Sequence, residues 1–208
     1  MSRGVPVRNV IFDFGGVLVN WQPETIIAGF YAEPALRDAI RMHAFQHDDW
    51  LEMDRGTLDE ATVIRRFAAR MARPEAEMAA LFDHVRAHLT PIEPTVALLT
   101  ELHERGYRLY GLSNMSAPIF EYLKSLHGFF DLFHGIVVSA VVKSVKPEPA
   151  IYEQLRSQFA IDFGESVFID DLPRNVESAR ALGLPAIRFE STAQVRRELE
   201  PLLASARA

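Results

Sequence analysis

The chain is predicted to be an α/β protein: a doubly wound parallel (Rossmann-like) sheet with a small all-helical cap inserted after the first strand. Three observations predict this. Val10 to Val19, V-I-F-D-F-G-G-V-L-V, is an apolar run with β-branched residues that meets one charge, Asp13, and then two glycines, Gly15 and Gly16. Such a run reads as a buried parallel strand with a loop after it. From Trp21 to Leu89 the apolar spacing is helical throughout. From Thr90 onward strand and helix patterns alternate, which means a parallel sheet with helices on both faces.

The elements follow in order. Pro34 suits the first turn of a helix, and Leu36, Ile40 and Ala44 continue it until Arg55-Gly56 breaks it. Thr57 with Glu60 three residues later has the form of a capping box, and Ala61, Ile64, Phe67, Ala68 and Met71 trace the face that follows. Pro74 starts another helix, striped by Met78, Leu81, Phe82, Val85 and Leu89. The prolines of Thr90-Pro91-Ile92-Glu93-Pro94 end the insert. After them come a helix from Val96 to Arg105 stopped at Gly106, a strand Arg108–Ser113, a helix Ala117–Leu126, a strand Ile136–Ala140 and a helix Ala150–Phe159. A strand Ser166–Asp170, a helix Arg174–Leu182 stopped at Gly183, a strand Ala186–Phe189 and a helix Thr192–Leu203 complete the pattern. The domain reading is a core of residues 1–20 and 90–208 and a cap of residues 21–89.

Composition narrows the function. With 208 residues, 49 % hydrophobic and 24 % charged, the chain has the make-up of an ordinary globular protein. Its net charge of −6 argues against nucleic acid or an acidic membrane surface as partner. There is no cysteine, hence no disulfide, thiol nucleophile or thiolate metal site. The start M-S-R-G-V-P-V-R-N has no secretory apolar region, and no apolar run approaches the roughly 18–20 residues of a membrane span. The expectation is a cytoplasmic protein. Nothing in the sequence speaks to its oligomeric state.

Polar residues gather at the strand ends. The first strand ends in Asp13, the second in Ser113-Asn114 and the fourth in Asp170-Asp171 with Asn175 beyond; Lys146 follows the third in K-S-V-K-P-E-P. In a parallel sheet all of these share the edge where ligands bind. Three carboxylates without cysteine or a nearby histidine suit a hard, oxygen-seeking cation such as Mg²⁺. The hydroxyl and ammonium suit phosphate oxygens, and a carboxylate beside both is a candidate covalent nucleophile.

This layout resembles the haloacid dehalogenase superfamily over nearly the whole chain, in particular its helical-cap phosphatases. Among these it is most similar to sugar-phosphate phosphatases of the alpha-glucose-1-phosphate phosphatase type, which also have glycine where most family phosphatases have a second aspartate. The resemblance implies a Mg²⁺-dependent hydrolase of small phosphomonoesters, sugar phosphates among them, acting through an aspartyl-phosphate. It implies Asp13 as nucleophile and metal ligand, the Gly15 carbonyl as another ligand, and Ser113 and Asn114 on the phosphoryl oxygens, with Gly16 in the same substrate loop. Lys146 would neutralise nucleophile and phosphoryl group, Asp171 would hold the metal directly with Asp170 beside it, and Asn175 would support waters. Gly15 lacks the side chain with which family members protonate the leaving oxygen.

Bland readings stand beside these. Asp13 has the makings of a turn carboxylate, Ser113-Asn114 of a helix cap, and Lys143 competes with Lys146. Trp21 and Trp50 read as packing, and the seven histidines show no metal-ligand spacing. A cluster at His47, Asp48, Asp49, Glu52 and Asp54 offers substitutes for the missing acid but reads mostly as a solvated face. The competing functions are a 2-haloacid dehalogenase, which the pair Asp170-Asp171 disfavours, and a weakly catalytic phosphate binder. A receiver domain would be much shorter, would lack the helical insert and would keep its acid pair on the first strand.

Overall fold

The structure, a computed structural model, describes residues 7–204. The stretch Met1–Pro6, read as lacking a secretory segment, lies outside the described residues. Five strands form one parallel sheet in the order β3-β2-β1-β4-β5: β1 (Asn9–Phe12), β2 (Arg108–Ser113), β3 (Gly135–Val138), β4 (Ser166–Asp170) and β5 (Ala186–Arg188). The chain builds outward from β1 to β3, then crosses back to β4 on the other side of β1. That reversal beside the central strand is where an open α/β sheet leaves a crevice at its carboxyl edge. The register sets Phe12 against Gly111 and Ile169, so the residues just past it meet the ends of β2 and β4.

Side chains alternate across the strands, and both faces are buried. Val10 and Phe12 of β1 and Val167 and Ile169 of β4 enter one apolar cluster, while Ile11 and Phe168 enter the other. The second cluster is closed by α9 (Pro149–Phe159) and α10 (Pro173–Ala181). The first is covered by α6 (Glu93–Glu104), α7 (Ala117–Leu126) and α11 (Thr192–Ala204) and runs on without a break into the insert. Among the described residues no helix is long and apolar enough to cross a membrane.

The insert holds α1 (Pro23–Phe30), α2 (Pro34–Ile40), α3 (Asp48–Arg55), α4 (Glu60–Met71) and α5 (Glu75–His88). Three boundaries differ from expectation. The helix opened by Pro34 does not run to Arg55: after Ile40 it widens into a π turn, Arg41–Phe45, and stops. His47 then caps α3 with Nδ1, which accepts Asp49 N–H at 3.1 Å. A π turn shifts the ring of side chains around a helix, a change that apolar spacing does not report. The predicted capping box is displaced too. Asp59 is the N-cap of α4, its Oδ1 accepting Thr62 N–H at 2.7 Å, while Thr57 Oγ1 turns back to Glu52. Finally β3 ends at Val138, and Ser139 and Ala140 begin a short helix, α8 (Ser139–Val142).

The two connections between insert and sheet lie side by side. Asn20 N–H donates to Thr90 O and Ile92 N–H to Leu18 O, both at 2.8 Å, and Asn20 Nδ2 reaches Thr90 Oγ1 at 2.9 Å. At its far side the insert is tied to the segment after β3. Ser139 Oγ donates to Asp54 O at 2.5 Å, Lys143 Nζ to Gly56 O at 2.5 Å, and Arg55 pairs with Glu148 at 2.7 Å.

Candidate active site

The loop after β1 is pinned from below. Phe14 points away from the edge and packs edge-on against Phe130 and Phe133, with ring centroids 5.2 and 5.6 Å apart. Its carbonyl accepts Leu18 N–H at 2.8 Å and Val19 N–H at 2.9 Å, folding residues 14–19 into a tight turn. This leaves Asp13 buried at the top of the central strand, with Oδ1 accepting Phe14 N–H at 2.6 Å. Gly16 has φ +76°, and a Cβ there would stand 2.6 Å from Asp171 Oδ2. The bare glycine is therefore what lets the Asp171 carboxylate close on the loop.

Lys146 reaches this point from the segment after β3. Its ammonium lies 2.9 Å from Asp13 Oδ1 and 2.6 Å from Asp170 Oδ2, and it is 1 % exposed. Lys143, its rival in sequence, is exposed and serves the cap latch instead. Asp170 is wholly committed inside the protein. Besides Lys146, it accepts Leu172 N–H at 2.9 Å and Asn175 Nδ2 at 3.0 Å on both oxygens. Asn175 is held in turn by Tyr152, whose hydroxyl donates to Asn175 O at 2.9 Å. Asn114 clamps the lysine's own backbone: Nδ2 donates to Lys146 O at 2.9 Å and Oδ1 accepts Lys146 N–H at 2.7 Å. That use differs from the phosphoryl contact expected of it, and one Nδ2 hydrogen remains. Ser113, at the end of β2, is buried with no partner for Oγ. A buried hydroxyl without a partner is costly; among the described residues Ser116 Oγ and Asn175 Oδ1 share this condition.

Charge makes the same point. Burial, aided by Asp170 and Asp171, pushes Asp13 well above the usual carboxylate range against the pull of Lys146. Burial and Asp170 push Asp171 up as well. Three carboxylates, Asp13, Asp170 and Asp171, offer oxygens within 4.8 Å of one another with one ammonium among them. The donor set is all oxygen and carries excess negative charge, which fits a hard divalent cation. Asp13 and Asp171 have free carboxylate oxygens for it, whereas the contacts of Asp170 are taken by protein donors.

Above the edge a cavity of about 750 Å³ opens between sheet and insert. Asp13, Gly15, Asn114, Lys146, Asp171 and Asn175 line its floor. One side of its wall is aromatic and apolar: Trp21, Phe45 and Trp50 form a cluster with centroids 4.8–5.9 Å apart, completed by Leu89, Met115 and Ile119, while Glu24, Arg41, Gln46, His47, Asp48 and Asp54 make the rest polar. Trp21 and Trp50, read from sequence as packing, do pack and also face the cavity. Their spacing carries no sign of this, because a residue facing a lined cavity occupies the same apolar position as one facing a core. The Asn114 clamp is equally unannounced, since it depends on where the segment after β3 returns to the edge.

The family of haloacid dehalogenase-like hydrolases matches residues 7–183, a span that contains every residue of this floor. The chain belongs to that family. As a haloacid dehalogenase-like hydrolase it has full-length relatives. It is 30 % identical to a sesquiterpene phosphatase, astK, of Aspergillus oryzae, over 94 % of this chain and 96 % of that protein. It is 23 % identical to a D-ribitol-5-phosphate phosphatase of Bacteroides thetaiotaomicron, over 96 % of this chain and all of the other. Among solved structures, a family enzyme of Bacteroides thetaiotaomicron, in an aspartate-to-alanine variant bound to magnesium and inorganic phosphate, superposes with a TM-score of 0.72 at 22 % identity. The match covers 88 % of this hydrolase and 93 % of that chain.

Proposed function

We propose that this hydrolase is a Mg²⁺-dependent phosphatase of small phosphomonoesters that works through an aspartyl-phosphate on Asp13. One observation carries the reading: a buried carboxylate at the end of the central strand, held 2.9 Å from a buried lysine, at the floor of a cavity large enough for a metabolite. The phosphatase relatives and the magnesium- and phosphate-bound neighbour support it. Asp13 attacks phosphorus in line with the leaving oxygen. Lys146 and the Ser113 hydroxyl face the phosphoryl oxygens, where fixed donors act most strongly on developing charge. Asp13, the Gly15 carbonyl and Asp171 would hold Mg²⁺, which supplies electrostatic stabilisation of the phosphoryl oxygens. Asp170, Asn175 and Asn114 hold Lys146 in place. Residues 21–89 act as the cap over a core of residues 1–20 and 90–208, excluding water and choosing the leaving group. The reading is of a cytoplasmic enzyme acting on a phosphorylated metabolite, with no nucleic acid or membrane partner.

Sugar phosphates are the substrates implied by the likeness to alpha-glucose-1-phosphate phosphatases. The cavity wall favours a different class. Trp21, Phe45, Trp50, Met115 and Ile119 offer an apolar alcohol much surface, while Glu24, Arg41, Gln46, His47 and Asp48 line the same cavity with polar groups. The full-length sesquiterpene phosphatase relative points the same way. We therefore read the preferred substrate as a phosphomonoester of an apolar alcohol. The test is a panel of terpenyl, alkyl and sugar monophosphates assayed with Mg²⁺ and with excess chelator. Higher kcat/KM for apolar esters supports the assignment; preference for sugar phosphates reverses the substrate class. Full activity in chelator would restore the metal-free dehalogenase chemistry.

A further inference from the structure

Phosphoester cleavage at Asp13 leaves one proton without a carrier, because Gly15 has no side chain. Five polar residues belong to the cap's α3 region; three are otherwise engaged and one is exposed. His47 Nδ1 caps α3. Asp49 is held by Arg66 at 2.8 Å and Arg70 at 2.5 Å. Glu52 is bound by Thr57 Oγ1 at 2.5 Å and by Arg55. Asp48 is exposed at the mouth.

Asp54 differs from all four. It lines the cavity together with Asp13 and Lys146, and among the described residues no cation pairs with it. Its backbone is tied to the core through Ser139 Oγ at 2.5 Å, so the end of α3 is held over the sheet edge. Its carboxyl group faces two neutral donors, the Ser116 N–H from the loop that begins at Ser113 and the Trp50 indole N–H from its own helix. Desolvation outweighs both donors and pushes its pKa up to about 7. The charged and titratable groups that share the cavity are Asp13, Lys146 and Asp171 on the core side and Glu24, Arg41, His47, Asp48 and Arg174 on the other, with Glu24 and Arg41 paired to each other. A carboxyl group that holds its proton up to about pH 7, facing the cavity without a salt-bridge partner, is suited to proton donation.

We propose that Asp54 supplies the acid–base function absent at Gly15. The inference rests on the phosphatase reading. In the first step an Asp13 oxygen bonds to phosphorus, the bond from phosphorus to the leaving oxygen breaks, and the Asp54 proton passes to that oxygen. Alcohol and Asp54 carboxylate result. In the second step the carboxylate takes a proton from water as the water oxygen bonds to phosphorus. The acyl-phosphate bond breaks, releasing phosphate and restoring both aspartates. The acid thus comes from the cap, so proton transfer is available only when α3 is docked.

The experiment compares wild type, Asp54→Asn and Asp54→Glu with Mg²⁺ on 4-nitrophenyl phosphate, whose leaving group needs little protonation, and on an alkyl phosphate. Positioned acid–base help is worth about 10²–10⁴ in rate. Asp54→Asn is expected to lose about that factor in kcat on the alkyl ester and far less on the aryl ester, with Asp54→Glu recovering part of the loss. In wild type the alkyl rate should fall above pH about 7, where Asp54 loses its proton, while the aryl rate holds. The wild-type profiles test the role even if a variant folds poorly. Equal losses on both esters, or none on either, overturn the proton-donor role while leaving the phosphatase reading intact. A wild type that turns over neither ester overturns that reading, and this inference with it.

Discussion

The Lys146 ammonium stands 2.6 Å from Asp170 Oδ2, and neither side chain is more than 1 % exposed. A buried ammonium is costly unless it is paired. Asp170 provides the pairing on the side away from the cavity, so that Lys146 can turn its remaining hydrogens toward Asp13 and the ligand. Asp170 is therefore an anchor for the lysine. Its neighbour Asp171, half-buried and facing Gly16, keeps its carboxylate free of protein side-chain donors among the described residues.

Asp170→Ala should be among the most damaging substitutions for the fold. It removes a partner of Lys146 and leaves Leu172 N–H and the Asn175 amide without an acceptor. Breaking a buried pair in this way costs about 3–5 kcal/mol, a fall in Tm of roughly 6–20 °C for a chain of this size. Calorimetry checks it; an unchanged Tm would mean that Lys146 is anchored elsewhere.

Asp13→Asn should leave the fold intact and stop turnover. It keeps the side chain's size and relieves some of the repulsion among the three acids. Loss of a covalent nucleophile lowers kcat on the order of 10³-fold or more. Rates within tenfold of wild type would remove Asp13 from that role.

Metal dependence should separate three positions. Gly16→Ala drives a Cβ to within 2.6 Å of Asp171 Oδ2 at a φ of +76°, and Asp171→Ala removes the carboxylate. Both should raise the Mg²⁺ concentration needed for half-maximal rate more than Asn175→Ala does, since Asn175 acts on Asp170 rather than on the cation. Mg²⁺ titrations of initial rate decide it.

Gly15→Asp should supply an acid from the core. A Cβ on Gly15 would sit 3.5 Å from Trp21 Cβ, an ordinary contact, so the residue fits once it turns past the indole. In the Asp54→Asn background, Gly15→Asp is expected to recover alkyl phosphate turnover and flatten the dependence of rate on leaving-group pKa. No recovery would show that Trp21 blocks the position.

Asp54 also makes a prediction about stability. Its pKa is raised in the folded protein to about 7, so the fold binds this proton more tightly than the unfolded chain does. The corresponding stabilisation is complete below the unfolded value, near 4, and is lost as pH rises through 7. Asp54→Asn, which cannot ionise, should therefore gain Tm relative to wild type as pH is raised from 5 to 8. Partial solvent access reduces the effect to a few degrees. A Tm difference independent of pH would mean that the carboxylate is well solvated.

The parallel sheet and the helical insert were legible because both rest on local periodicity. Alternation of β-branched runs with 3.6-spaced stripes, punctuated by proline and glycine, needs no knowledge of distant contacts. That Asp13, Ser113, Lys146, Asp170 and Asp171 gather at one edge was legible for a related reason: in a parallel sheet, residues at strand ends converge whatever the loops do. The π turn at Arg41–Phe45 was not legible, because an extra residue in a helical turn leaves composition unchanged.

By itself, then, the sequence determined the class of fold and which polar residues gather at the carboxyl edge of the sheet. Tertiary structure alone decided how they divide the work. Two adjacent aspartates became an anchor and an uncommitted carboxylate because the Lys146 ammonium, the Leu172 amide and Asn175 all converge on Asp170. Apolar residues of the insert became part of a cavity wall, and of five polar residues near α3 only Asp54 was left half-buried in the cavity and, among the described residues, without a cation. Those assignments depend on distances between segments up to more than 100 residues apart and on the water excluded where they meet. Burial and pairing, which set the charge and the free lone pairs of each group, are properties of that packing and not of any stretch of chain.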